Sequence, residues 1–417
     1  MSYSKRQGES GTGPAPEAPG SLESFIRGRA SGLGLSLPAT GAAPLAGLDY
    51  GLESSIKNSA LADFWRHHGL PGRPQPLVGS PRPRHYRTTS KRRVQAADAG
   101  PRRAGRGRGI FAEGEEAALL EAPEHAAVFA ALGERLLRPE FAPLARALNF
   151  IIIRGTYLEF QVIFNLHAMN RDVHRLLLKA LDVLRGLEAN VISAFLYLDP
   201  GRSPYYLEAD RPRGPFPIKK LFGPERFRLR LGDQTFSVLP TSFSQVNESL
   251  LPLLLGNVRD LLAGEGRERL VDLFCGYGLF AFSLRPRYRE IVAVDAATAS
   301  IRAASAMLTP APGQARISFK VLSIARDSLA TGLPQPLAPG LEDVILDPPR
   351  RGTDPGVIRS IARRRPGRIL HLFCASEEIP EALALWRRSG YLARRIVPLD
   401  MFAGTPQLET LVLLTPA

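Results

Sequence analysis

From residue 265 the chain alternates short apolar runs with helical stretches, a rhythm that restricts the fold more than any other feature. The runs RLVDLF, EIVAVD, ISFKVL, EDVILD, RILHLF and YLARRIVPLD are separated by stretches such as TASIRAASAML and IPEALALWRRSG. Strands joined through helices cross over to parallel neighbours instead of folding back as hairpins, so this half is expected to be a doubly wound α/β sheet. LETLVLL closes the series as a late strand.

A length of 417 residues exceeds one ordinary core, and two domains with a tail are expected. Residues 1–55 are rich in Gly, Ala, Pro and Ser and read as a disordered low-complexity tail. A short amphipathic helix is expected at 59–70, with Leu61, Phe64 and Trp65 on one face and Gly69 and Pro71 at its end. Within 56–250 the pattern is that of a basic α+β substrate-binding domain. EHAAVFAALGERLL and NRDVHRLLLKALDVLRGL read as helices, the second capped by Asn170, while LNFIIIRGTYLEFQVIFNL reads as two strands about Gly155 and VISAFLYLD as another. Residues 251–417 hold the doubly wound domain.

Charged residues make up 23% and hydrophobic residues 44%, and no apolar run reaches the ~20 residues a membrane span needs, so no membrane association is expected. Two cysteines, Cys275 and Cys374, cannot supply a disulfide framework, a zinc site or an iron-sulfur cluster. The N-terminus lacks a secretory h-region, and a cytoplasmic monomer is the expectation. The net charge of +14 favours a polyanionic partner, RNA or DNA, because Lys and Arg on phosphates release condensed counterions. Between Arg82 and Arg108 ten basic residues face one acid, Asp98. Arg82, Arg84, Arg87, Arg92, Arg93, Arg102 and Arg103 are candidate phosphate contacts, and Tyr86 is a candidate stacking ring. The plainer alternative is a solvated basic loop.

Open α/β sheets bind ligands beyond the carboxyl ends of their strands. The first strand is followed by Phe274-Cys275-Gly276-Tyr277-Gly278, whose glycines let backbone approach a ligand, and the second ends at Asp295, placed to accept from ribose hydroxyls or to cap the next helix. DPPR at Asp347–Arg350 stiffens the tip of the fourth strand. In that order the three features point to S-adenosylmethionine rather than a dinucleotide. Cys374 follows the next strand at the same sheet edge, beside Asp347, whereas Cys275 lies within the glycine loop; Cys374 is the candidate nucleophile, with buried filler as the plain reading of either thiol.

The blocks SFSQVN (242–247), DLFCGYGLF (272–280), VAVD (292–295), LDPPRRG (346–352), LFCAS (372–376) and DMFAGTPQLETLVLL (400–414) together resemble the S-adenosylmethionine-dependent RNA 5-methyluridine (uracil-C5) methyltransferases of tRNA and 23S rRNA, over roughly 80–417. The resemblance implies a Rossmann-like class I methyltransferase domain behind an RNA-binding domain. It places cofactor contacts on Gln245, Phe274, Asp295 and Asp347, with Gly276 and Gly278 in the loop, the nucleophile on Cys374 and the general base on Glu409. Ala375-Ser376 stands where Asn-Pro is usual, and no N-terminal RNA-binding barrel precedes residue 80. The implied chemistry is thiolate addition to carbon 6 of uracil, methyl transfer to carbon 5, and removal of the carbon-5 proton by Glu409. A catalytically silent, RNA-binding or ribosome-assembly relative is the alternative reading.

Overall fold

The computed structural model describes residues 20–39, 41–95, 110–112, 119–187, 190–202, 218–264, 266–309, 313–350 and 352–417. Arg102 and Arg103 fall outside these residues.

The chain enters through two helices, α1 (Leu22–Gly32) and α2 (Tyr50–His67), capped by the side chains of Ser21 and Asp49, which accept from Ser24 N and Leu52 N at 3.1 Å each. Leu22, Ile26 and Ala30 form one stripe, and Ile56, Leu61, Phe64 and Trp65 another; both join the core of the C-terminal sheet with Val271, Val344 and Trp386. This corrects the reading of 1–55 as a disordered tail for the residues from 20 onward. One apolar side chain per turn suffices to dock a helix, and averaging over fifty Gly- and Ala-rich residues hides such a stripe. It also moves residues 56–67 from the expected basic domain onto the C-terminal sheet. The helix anticipated at 59–70 is the latter part of α2, with its shared face as expected.

The central sheet follows: β1 (Thr89–Val94), β2 (Phe111–Ala112), helices α3 (Pro123–Leu136) and α4 (Ala142–Ala147), β3 (Leu148–Gly155), β4 (Phe160–Leu166), α5 (Arg171–Arg185), β5 (Val191–Leu198) and β6 (Lys219–Phe222). Its order is β2-β1-β3-β4-β5-β6, antiparallel except where α5 carries the chain from β4 to a parallel β5. Asn170 caps α5 by accepting from Val173 N at 2.9 Å, as its position in the sequence indicated. The stripe Val173, Leu177, Leu181 and Leu184 packs with Phe129 and Leu132 of α3 onto Ile151, Ile153, Val162 and Phe164. Gly155 is required at the β3–β4 turn, because a Cβ would stand 2.0 Å from the Glu159 carbonyl oxygen.

A hairpin of β7 (Phe227–Leu231) and β8 (Gln234–Val238), then α6 (Leu251–Leu261), leads into β9 (Arg269–Leu273), α7 (Leu279–Ser283), β10 (Glu290–Asp295), α8 (Thr298–Ala306), β11 (Arg316–Val321), α9 (Arg326–Gly332), β12 (Glu342–Leu346), α10 (Pro355–Arg363), β13 (Arg368–Phe373), α11 (Ile379–Arg388), β14 (Tyr391–Leu399) and β15 (Glu409–Pro416). The seven strands lie in the order β11-β10-β9-β12-β13-β15-β14. Six run in one direction, β11 to β13 pairing in parallel, and β15 alone is reversed between β13 and β14. Alternate residues feed cores on opposite faces, Leu270 with Phe236 and Leu254 on one side and Val271 with Phe64 and Trp386 on the other. Burial of both faces is why these strands read as nearly continuous apolar runs. The order reverses between β9 and β12, and a ligand crevice opens at the carboxyl ends beside such a switch. The Rossmann-like α/β architecture expected for this half is borne out.

Candidate active site

The turn after β9 is built on unusual backbone. Phe274 has φ 64° without being glycine, and Gly276 and Gly278 follow at 53° and 88°. A left-handed side-chain-bearing residue costs roughly 1–2 kcal/mol, so its surroundings must hold it. Cys275 N donates to Val294 O at 3.1 Å, Asp347 N to Leu273 O at 3.3 Å, and Gly276 N to Asp295 Oδ2 at 2.9 Å. Below the loop the buried Asp272 accepts from Ala281 N at 3.1 Å. Burial, reinforced by Asp347, pushes its carboxyl well up. Tyr277 reaches sideways and donates from its hydroxyl to Gln245 Oε1 at 3.0 Å.

Asp295 also accepts from Ala297 N at 2.7 Å. Asp295 therefore clamps the glycine loop and the turn that follows β10, while α8 follows Ala297 without a side-chain cap.

β12 delivers Asp347 and β13 delivers Cys374 as neighbours. The reversed β15 then starts at the same edge: Phe373 pairs with Thr410, so Cys374 and Glu409 are next in register. The Cys374 thiol donates to Asp347 Oδ1 at 3.7 Å, and its sulfur lies 4.0 Å from Glu409 Oε1. Burial pushes Asp347 up to about 7, and burial with the Asp347 charge pushes Glu409 up to about 8, against an opposing pull from Arg350. Burial, then Glu409 and Asp347, hold the Cys374 thiol well above its ordinary range. Glu409 is buried, and its Oε2 has no hydrogen-bond partner among the described residues. The site thus pairs a partly exposed thiol with two acids that retain protons near neutrality. Cys275 is buried within the loop, and its nearest acceptor is the adjacent Gly276 carbonyl at 4.0 Å.

Three residues here escaped sequence reasoning. Glu378 lies in the turn after Cys374, its carboxyl pushed up to about 7 by burial and its Oε1 without a hydrogen-bond partner among the described residues; the pair Glu377-Glu378 after LFCAS was the available signal. Arg350 donates to Gln407 Oε1 at 2.6 Å and sits 5.2 Å over the Phe402 ring, joining the Asp347 turn to the loop before Glu409. Phe243 is 60% exposed two residues from the buried Gln245.

The basic segment divides differently from expectation. Tyr86 is completely buried with Ala43, Leu120 and Ala403, which removes it as a stacking platform. Arg84 holds the Ala46 and Leu48 carbonyls and Glu53 at 2.7, 3.0 and 2.8 Å, and Arg92 is buried against Glu121 at 2.7 Å and over Phe129 at 4.1 Å. Both arginines are structural: β1 points Arg92 inward onto the Glu121 carboxylate, and Arg84, ahead of β1, is held by Glu53 of α2 and the carbonyls beside it. Arg82 stacks 4.5 Å over Tyr157, Arg87 is half-buried, and Arg93 is exposed beside the Phe150 ring. No helix among the described residues is long and apolar enough to cross a membrane.

No protein-family model matches the chain. In sequence it is 32% identical over 187 residues to an uncharacterized RNA methyltransferase of Geobacter sulfurreducens, covering 44% of this chain and 36% of that protein. It is 35% identical over 181 residues to another of Thermosynechococcus vestitus, covering 43% and 39%. The chain thus spans well under half the length of these curated relatives. In structure it superimposes on the Pyrococcus abyssi tRNA (uracil-54, C5)-methyltransferase, solved in complex with S-adenosyl-L-homocysteine, with a TM-score of 0.63 and 21% identity over 89% of this chain and 85% of that one. The resemblance read from the motif blocks is borne out at this level: the chain is similar in sequence to RNA methyltransferases and has the Rossmann-like fold of the class I S-adenosylmethionine-dependent methyltransferases.

Proposed function

We propose that the protein transfers a methyl group from S-adenosylmethionine to carbon 5 of a uridine in tRNA or rRNA through a transient Cys374 adduct. One observation carries the reading: the sulfur of Cys374 stands 3.7 Å from Asp347 and 4.0 Å from Glu409 at the carboxyl edge of the sheet, next to the glycine loop. The cleft suits the cofactor. Gly276 leaves open space beside the loop backbone while Gly278 packs against Phe282 and Phe319, Asp295 keeps lone pairs for a ribose, and Phe274, Gln245 and Asp347 would complete the cofactor's surroundings. Bound there, the cofactor supplies an electrophilic methyl group.

The residues of the chain do the remaining work. The Cys374 proton passes to a neighbouring carboxylate, and the thiolate adds to carbon 6 of the uracil, making carbon 5 nucleophilic. After carbon 5 is alkylated, Glu409 as carboxylate removes its remaining proton, the carbon–sulfur bond breaks and the thiolate leaves. Burial of Glu409 raises its basicity, which suits it to the proton transfer. A uridine stacked in RNA cannot reach this sulfur, so the base must be extruded, with the exposed ring of Phe243 available to stack a base and Arg82, Arg87 and Arg93 to meet the flanking phosphates.

The test uses RNA containing 5-fluorouridine with S-adenosylmethionine. Fluorine cannot be removed as a proton, so a complex resistant to denaturation should accumulate. Cys374→Ser should abolish it and Cys275→Ser should not. Trapping that persists in Cys374→Ser would falsify the assignment, and the absence of any adduct or methylation by the intact protein would favour a silent RNA-binding role.

A further inference from the structure

The loop 400–408 brings Glu409 to the thiol, and its buried charged anchors come from α2. Lys57 of α2 is fully buried, its Nζ 2.7 Å from Asp400 Oδ1 and 2.7 Å from Glu53 Oε1. Asp400 Oδ2 accepts from the Tyr50 hydroxyl at 3.0 Å, and Glu53 Oε2 accepts from Arg84 at 2.8 Å. Glu53 Oε1 accepts again from Gly404 N at 2.6 Å, and the Gly404 carbonyl accepts from Leu45 N at 3.0 Å. Asp400 N donates to Val78 O at 3.0 Å.

The same segment grips the other wall of the cleft. Asn247, fully buried two residues after Gln245, donates to Ser80 Oγ at 2.9 Å and to Met401 O at 3.4 Å. Thr88 N donates to Val246 O at 2.9 Å. Residues 45–88 therefore tie the Gln245 loop and the Glu409 loop to one strut, the segment that composition alone had assigned to a tail and a basic domain.

A buried ammonium with two carboxylates is weak evidence for stability, since apolar side chains of equal volume would hold two elements together as well. What an ion network adds is a defined geometry: two carboxylates converge on one Nζ and can do so in few arrangements. We infer that Lys57 is a positioning residue, acting through Asp400 and Glu53 to set the loop so that the Glu409 carboxyl stands against the Cys374 sulfur. The inference rests on the proposed function in taking Glu409 as the base.

The test is Lys57→Met in the full chain, with folding followed by thermal unfolding. Two readouts are needed: kcat and KM on substrate RNA, and the pH profile of iodoacetamide alkylation at Cys374 without RNA, with the buried Cys275 as internal reference. In the folded variant kcat should fall about tenfold to a hundredfold with KM within about twofold, as expected for a misplaced catalytic group. The alkylation profile should move to lower pH as a like charge leaves the sulfur. An unchanged profile and kcat would overturn the inference, as would a loss that only follows the folded fraction. If Lys57→Met does not fold, Tyr50→Phe removes one hydrogen bond to Asp400 and decides by the same two readouts, a smaller shift supporting the role and none refuting it. A shifted profile in a protein inactive on uridine would uphold the positioning role and sink the functional reading.

Discussion

Glu409 and Cys374 are neighbours because β15 runs backwards: its first residue lies across from the residue that follows β13, leaving 4.0 Å between carboxyl oxygen and sulfur. Burial first, and then the Glu409 charge, makes the Cys374 thiol harder to ionise. In the absence of RNA the thiol should therefore be sluggish. At pH 8 iodoacetamide should modify Cys374 more slowly than a free cysteine, and Glu409→Gln should speed the reaction by roughly threefold to tenfold by removing the like charge. Peptide mass mapping reads the rate, and an unaltered rate would mean the two groups are not coupled.

If Glu409 removes the carbon-5 proton, its loss should stop the cycle after methyl transfer. With ordinary uridine RNA, Glu409→Gln should reduce turnover by about 10²–10⁴-fold, the usual range for a general base, while protein–RNA adduct accumulates. Denaturing gels would show the band. Slow turnover with no adduct would place Glu409 before the addition step.

The raised acids also link stability to pH. Glu409 titrates at about 8 in the folded chain against 4.5 ordinarily. Below about pH 4 both states hold the proton and nothing changes. Between the two values the native state binds a proton that the unfolded chain has lost, so stability falls as pH rises, by up to ~1.4 kcal/mol per pH unit for this group. Glu409→Gln should therefore gain stability relative to the parent between pH 5 and pH 8, read from urea midpoints. A constant difference across that range would show that Glu409 is ionised throughout.

The parallel strands were legible because both of their faces are buried, which writes them as unbroken apolar runs. The placement of Asp347 beside Cys374 followed from that sheet. The closeness of Glu409 required more, since LETLVLL announces a strand without its direction. Glu378 and Arg350 were illegible for another reason: they sit in turns after the strand ends, and only the folded backbone shows where such side chains point. Helix α1 and the first half of α2 were hidden by small residues, and the burial of Tyr86 by its strongly basic neighbours, whose charge says nothing about which way alternate side chains face.

That last distinction separates the arginines by experiment. Arg92 is buried with Glu121, so Arg92→Ala strands a carboxylate and should destabilise the fold by about 3 kcal/mol, the scale of a broken buried pair. Arg93, one residue on and facing outward, should behave oppositely: Arg93→Ala leaves the unfolding midpoint within about 0.5 kcal/mol of the parent. It should instead weaken RNA binding and reduce the slope of log affinity against log salt by about one, as one phosphate contact is lost. Titrations at several salt concentrations, alongside urea melts of both variants, test the division. An unchanged salt slope in Arg93→Ala would remove this face of the central sheet from the RNA path, since burial already removes Arg92 and Tyr86 from it.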